Sequence, residues 1–218
     1  MTTAAAPDLL RAPIDAELRA TLRAEAEAQR AQSDPIVLAE FGIDGDGALR
    51  GKRHVVAAGP GPALAALHRG AGLELARRAV DDGMPTFPTR ASLLYYGAGD
   101  HAMLHHDVSQ CTVTILMCLS GKADPLIAYP AFGRADEADV AALNAAPIDS
   151  RERFEQAVGE RLGAERLRSF PIDISPDSLV ALPGRDMPHA RYPQPDPVMV
   201  AALCYGALAH RPAWRSDD

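Results

Sequence analysis

Tyr95-Tyr96-Gly97-Ala98-Gly99-Asp100-His101-Ala102-Met103-Leu104-His105-His106-Asp107 is the stretch on which the reading of this chain turns. Two aromatic residues lead into a glycine turn, and a short run then ends in His105-x-Asp107. Residues two apart on a strand project to one face, so the imidazole of His105 and the carboxylate of Asp107 point together. His106 points the other way. His101 lies four before His105, but Gly97 and Gly99 argue for a turn there, which leaves His101 as a neighbouring contact rather than a ligand.

Working outward, the flanks read as short β-like runs. They are TRASLLYY (89–96), CTVTILMCL (111–119), PLIAYP (125–130), SFPIDI (169–174), SLVALP (178–183) and VMVAALCYG (198–206). Residues 111–119 and 198–206 are apolar on both alternating faces, so both faces should be covered. Short strands between Gly/Pro turns suggest a sandwich or barrel. Residues 134–168 interrupt the pattern with a charged, alanine-rich, helical texture divided by Pro147, a helical insertion between strands. Its Arg151, Arg153, Arg161, Arg166 and Arg168 read as a solvated face paired with glutamates, and the insertion is a candidate lid or dimer contact over the barrel mouth. Upstream, Ile14, Leu18 and Leu22 mark a helix over 14–32, and 61–82 reads as helical with a break at Gly70 and Gly72. Residues 36–57 read as two strands around the turn Asp44-Gly45-Asp46-Gly47. The expected fold is mainly β with packed helices, one domain over 1–218. Residues 1–88 support a β core over 89–206.

Composition sets limits. The chain has 218 residues, 47% hydrophobic and 23% charged, with a net charge of −7. An acidic balance disfavours a phosphate backbone as partner, so nucleic acid is not expected. No apolar run is long enough to span a bilayer, and the N-terminus lacks the basic start and apolar core of a signal peptide. The three cysteines, Cys111, Cys118 and Cys204, form no CxxC pair and read as reduced core residues of a cytoplasmic protein.

A lone histidine follows far downstream in Pro183-Gly184-Arg185-Asp186-Met187-Pro188-His189, just before the last β-like run. Two histidines and one carboxylate on one side of an ion leave the opposite positions open, the ligand set of non-haem Fe(II) oxygenases. HxD alone is a weak signal; its context is specific. Tyr96, Gly99, His105 and Asp107 fit a Y-x-x-G-x5-H-x-D spacing, and Ser175-Pro176-Asp177-Ser178-Leu179-Val180 is followed by a loop and His189. Here the chain resembles the Fe(II)/2-oxoglutarate-dependent oxygenases, especially the prolyl-4-hydroxylase-like group, over roughly 89–206.

That resemblance implies a double-stranded β-helix, a jelly-roll barrel with the N-terminal helices packed on one side. It implies Fe(II) held by His105, Asp107 and His189, with 2-oxoglutarate as co-substrate and O₂ consumed. The expected reaction is hydroxylation of an unactivated C–H of a small molecule, such as an amino acid or natural-product intermediate, with succinate and CO₂ as co-products. A carboxylate at 107 favours hydroxylation over halogenation; desaturation and ring formation stay open. One departure stands out. The family usually carries a basic residue about ten positions after the distal histidine, where this chain has Asp196-Pro197-Val198-Met199-Val200. A guanidinium or ammonium elsewhere must then hold the far carboxylate. Lys122, Arg191 and Arg90 are candidates in that order, with Tyr96 and Tyr129 as hydroxyl partners. Two other readings compete: a cupin-like metal dioxygenase or isomerase without 2-oxoglutarate, and an inactive barrel serving as a binding module.

Overall fold

A computed structural model describes residues 8–38, 41–43, 49–80 and 84–207. The Asp44–Gly47 turn lies outside them. Thirteen strands are present: β1 Arg11–Pro13, β2 Asp34–Leu38, β3 Gly42–Ile43, β4 Leu49–Arg50, β5 Arg53–Ala58, β6 Thr86–Tyr96, β7 His101–His105, β8 Val113–Ser120, β9 Leu126–Ala128, β10 Phe170–Ile172, β11 Ser178–Leu182, β12 His189–Arg191 and β13 Val198–Ala207. Five helices accompany them: α1 Ala16–Gln29, α2 Pro62–Arg69, α3 Ala71–Arg78, α4 Glu137–Ala145 and α5 Arg151–Leu162.

Eleven of the strands form one antiparallel sheet in the order β1-β11-β8-β13-β6-β5-β7-β12-β9-β10, with β2 added on β5, while β3 and β4 pair with each other alone. The sheet folds over on itself. β1, β11, β8, β13 and β6 make one wall, β7, β12, β9 and β10 the other, and β5 pairs with both β6 and β7 across the corner. This is the jelly-roll, double-stranded β-helix architecture.

Strand periodicity sorts the apolar residues into three layers. On β8, Val113, Ile115, Met117 and Leu119 face outward into a cluster with Leu22 and Ala26 of α1, Leu64 and Leu67 of α2, and Leu75 of α3. The alternate residues Leu116 and Cys118 face inward, where they meet Val180, Val198, Val200 and Leu126 from both walls. The doubly apolar texture of this run and of β13 therefore has the cause the sequence suggested: each strand is covered on both faces.

The helices are placed by specific polar contacts. Asp15 caps α1 by accepting from Leu18 N at 2.7 Å. The Glu25 carboxylate accepts from Ala63 N at 2.6 Å and Leu64 N at 3.0 Å, so α1 caps the exposed amides of α2. The Tyr95 hydroxyl donates to the Ala26 carbonyl at 2.6 Å and ties β6 to α1.

The third layer corrects one expectation. Leu143 of α4 and Phe154 and Val158 of α5 pack with Met103, Leu104, Ile127 and Ala190 on the outer face of the β7/β12/β9 wall. No residue of 134–168 lines the cavity inside the barrel. The insertion is a buttress behind the second wall, not a lid over the mouth. Its apolar side chains need a sheet face to cover, and this is the face the N-terminal helices leave bare.

The cysteines need a second correction. Cys111 and Cys204 form a disulfide, with Cα atoms 4.7 Å apart and 93 residues between them in sequence, while Cys118 is free and buried. The loop after Asp107 folds back over the end of β13. The Thr89 hydroxyl lies 3.0 Å from both the Gln110 and the Cys204 carbonyl oxygens, which brings the two segments together. Disulfides persist in oxidising compartments, so the cytoplasmic expectation loses the reduced cysteines it rested on. Among the described residues no helix is long and apolar enough to cross a membrane.

Candidate active site

β7 and β12 lie side by side with His105 opposite His189. Between His105 and Ala102 the register slips by one, because Arg191, two residues after His189, pairs with Ala102, three before His105. This β-bulge lets both Ala102 and His105 face the barrel interior, while Met103 and Leu104 between them face the outer layer. It also turns His101 away from the cavity and toward His54, with ring centroids 6.4 Å apart. His106 points outward as expected, its Nδ1 accepting from Leu49 N at 3.3 Å.

His105, Asp107 and His189 come together, with one ligand atom from each lying within 4.8 Å of the others. The Nε2 atoms of His105 and His189 are 3.8 and 3.9 Å from Asp107 Oδ1. Both rings are oriented alike. His105 Nδ1–H donates to the Met103 carbonyl at 2.6 Å, and His189 Nδ1–H donates to the Met187 carbonyl at 2.9 Å. Each bond fixes the tautomer that leaves the Nε2 lone pair aimed at the common centre. Burial pushes the His105 imidazole well below its usual value, with the charges of Arg53, His189 and His106 adding to the effect. That ring is therefore neutral at neutral pH, the form a metal needs.

Asp107 lies just beyond β7 and is held from two sides. The Thr114 hydroxyl donates to Oδ2, and the Asp107 amide donates to the Gly184 carbonyl at 2.9 Å. Gly184 is the site residue whose role sequence reading missed. A Cβ there would come within 2.0 Å of Asp107 Oδ2 and 2.6 Å of Thr114 Oγ1.

The triad lines a cavity of about 300 Å³ inside the barrel. Leu94, Leu116, Leu126 and Val200 give it apolar walls. Arg191 faces into it from β12, two residues beyond His189, and is only 2% exposed. Its guanidinium carbon lies 5.0 Å from the centre of the Tyr96 ring, and its Nη1 donates to the Asp124 carbonyl at 3.2 Å. Among the described residues no carboxylate comes within ion-pair distance of it.

Of the other candidates, Arg90 and Tyr96 line the cavity and Lys122 does not. β8 ends at Ser120, Gly121 turns the chain at φ +82°, and Lys122 is exposed on the far side of that turn. Tyr129 is also displaced. It belongs to the outer layer, where its hydroxyl donates to Glu155 at 2.8 Å and lies 2.7 Å from the Tyr192 hydroxyl. Arg53, from the β5 corner strand, lines the cavity and was not singled out by sequence.

The arrangement can hold one divalent cation at the triad and one carboxylate at Arg191, at different depths of a single cavity. No protein-family model matches the chain, and no curated protein matches it in sequence. Solved structures do. The non-heme alpha-ketoglutarate-dependent epimerase SnoN of nogalamycin biosynthesis superposes with a TM-score of 0.61 at 13% identity, covering 91% of this chain and 76% of SnoN. A Pseudomonas putida prolyl-4-hydroxylase gives 0.55 at 13% identity, covering 91% of each chain. HygX from Streptomyces hygroscopicus, solved with nickel and 2-oxoglutarate bound, gives 0.55 at 15% identity over 92% of this chain and 83% of its own. At these identities the likeness establishes the fold.

Proposed function

We propose that this protein is an Fe(II)- and 2-oxoglutarate-dependent oxygenase that hydroxylates a small molecule. The observation that carries the reading is the pairing, in one cavity, of a His-His-Asp donor set with a buried arginine that meets no carboxylate among the described residues. The donor set fits the metal: two imidazole Nε2 atoms and one carboxylate oxygen converge, and each histidine is oriented by a backbone carbonyl. The arginine fits the co-substrate. A buried guanidinium is costly unless an anion meets it, and its planar fork matches a carboxylate.

Fe(II) with 2-oxoglutarate would supply the activation of O₂ and the oxidation of an unactivated C–H, with succinate and CO₂ as co-products. The chain's own residues do the rest. His105, Asp107 and His189 would hold the ion and leave its other positions open. Arg191, backed by the Tyr96 ring, would hold the far carboxylate and so fix the co-substrate's direction along the barrel. Thr114 and Gly184 keep Asp107 in place. The apolar walls limit water around the reacting centre.

The test is an anaerobic Fe(II) titration followed by 2-oxoglutarate, read by visible absorption. A metal-to-ligand charge-transfer band needing both components is expected. Arg191→Gln should weaken 2-oxoglutarate binding by about 30-fold or more, the scale of losing one partner of a buried charge pair. Lys122→Gln should leave it unchanged. Iron binding without the band would favour a cupin-like enzyme that does not use 2-oxoglutarate. No iron binding would leave the barrel as a binding module.

A further inference from the structure

Two more arginines face the same cavity, and the proposed cofactors do not use them. Arg53 stands on β5 beside Ala102, on the same face of its strand as Val55, which lies in the barrel interior. Its Nε is fully buried and has no hydrogen-bond partner. Arg90 stands on β6, opposite Cys204 and on the face that carries Ser92, Leu94 and Tyr96 into the cavity. Across β13 from Arg90, Thr114 pairs with Cys204 and holds Asp107, so Arg90 sits at the level of the triad. Among the described residues neither Arg53 nor Arg90 forms an ion pair.

The chain as a whole is acidic, at −7. Yet the cavity lining holds three arginines and a single acidic residue, Asp107. Within the reading above, the charges of a divalent cation, Asp107, a dianionic co-substrate and Arg191 cancel. Arg53 and Arg90 remain as two positive charges on a cleft with apolar walls: Arg53 half-buried, where low dielectric focuses its field, and Arg90 exposed to solvent where it lines the cavity. A cation with a buried, unpartnered donor calls for an anion to meet it.

We infer that the substrate is an anion, and that Arg53 and Arg90 bind its carboxylate or phosphate group beside the triad. The inference rests on the proposed oxygenase reading for its charge balance, and it names the substrate class for that reaction. The two cations approach from different strands, β5 and β6. They would therefore hold one anionic group from two sides and direct the remainder of the molecule toward the open positions of the metal. Neutral and cationic relatives of the substrate would lack this anchor.

The test uses the protein loaded with Zn(II) and saturated with 2-oxoglutarate, so that the triad and Arg191 are already occupied. Inorganic phosphate and benzoate are titrated separately by isothermal calorimetry. At least one of them should bind once per chain, more weakly as NaCl is added, and the tighter of the two identifies the group as phosphate or carboxylate. Arg53→Gln and Arg90→Gln should each weaken that binding at least tenfold while keeping 2-oxoglutarate affinity, which shows that the variants are folded. Lys122→Gln should change neither. No anion binding, or binding indifferent to both arginine variants, overturns the inference and leaves the oxygenase reading intact. Loss of 2-oxoglutarate in Arg53→Gln, with retention in Arg191→Gln, overturns it too and makes Arg53 the co-substrate anchor. If 2-oxoglutarate never binds but phosphate still binds through Arg53 and Arg90, the oxygenase reading fails and the anion site stands.

Discussion

Gly184 has no room for a side chain, and what fills that space is the carboxylate of Asp107 with the hydroxyl of Thr114. The residue acts on the site by what it lacks. Gly184→Ala should force Asp107 off its position without removing any donor. Supporting groups of this kind typically change metal affinity by about 10- to 100-fold when altered. The expected result is a loss of Fe(II) affinity in that range in competitive titration, with the native circular dichroism kept. An unchanged affinity would mean that the carboxylate has slack the structure does not indicate. His105 and Asp107 could be picked from the sequence because they stand two apart in a short motif whose spacing resembles that of the oxygenases. Gly184 could not, because its role exists only once the loop before β12 lies against the loop after β7. Lys122 failed for the opposite reason. It sits at a plausible distance along the chain, but the turn at Gly121 points it outward.

At the scale of elements, the bulge in β7 shows what periodicity cannot deliver. Strict alternation would put His101 and His105 on one face, and the extra residue reverses the face partway along the strand. The Cys111–Cys204 disulfide was illegible for a related reason, since pairing two residues 93 apart depends on strand order rather than spacing. It staples the loop that follows Asp107 to the end of β13. Closing so long a loop is worth about 3 to 5 kcal/mol in the chain-entropy account. Scanning calorimetry should therefore give a clearly lower Tm in reductant, and the denatured, unreduced protein should titrate one thiol. Three thiols would refute the pairing. The junction of α2 with β13 carries a pH response. His68 is buried there, with Nε2–H donating to the Cys204 carbonyl at 2.9 Å, and burial lowers its pKa below 6.5. Well above pH 6.5 the ring is neutral in both folded and unfolded chains, so pH has no effect through it. Below that, the unfolded chain takes up a proton that the folded chain resists, and stability falls. The slope is at most about 1.4 kcal/mol per pH unit. Urea melts between pH 7 and 5 should show this decline, and His68→Gln should make it shallower by His68's share, the buried His105 acting in the same direction.

The described residues make three apolar layers separated by two walls of the folded eleven-stranded sheet, and the proposed metal site lies in the middle layer. The N-terminal helices cover one outer face and the 134–168 insertion covers the other. Sequence reading found the helical texture of the insertion but could not assign its face, because a helix with an apolar stripe is equally suited to a cavity mouth and to a bare sheet. The sheet decides: Met103, Leu104, Ile127 and Ala190 form an apolar outer surface that something must cover. A lid and a buttress respond differently to the same change. Phe154 is fully buried in the layer behind β7, β9 and β12. Phe154→Ala should cost about 3 to 5 kcal/mol, the usual penalty for deleting a buried aromatic ring. A lid mutant would instead loosen ligand binding at little cost to the fold. The expected outcome is a large drop in the urea midpoint, while 2-oxoglutarate affinity of the still-folded protein, measured well below that midpoint, stays within about twofold of the parent. The opposite pattern, a stable protein with weakened binding, would return the insertion to the mouth of the barrel. The buttress also makes the site dependent on a layer it never touches. β7 and β12 bring two of the three proposed ligands into line, and the layer behind those strands keeps them paired.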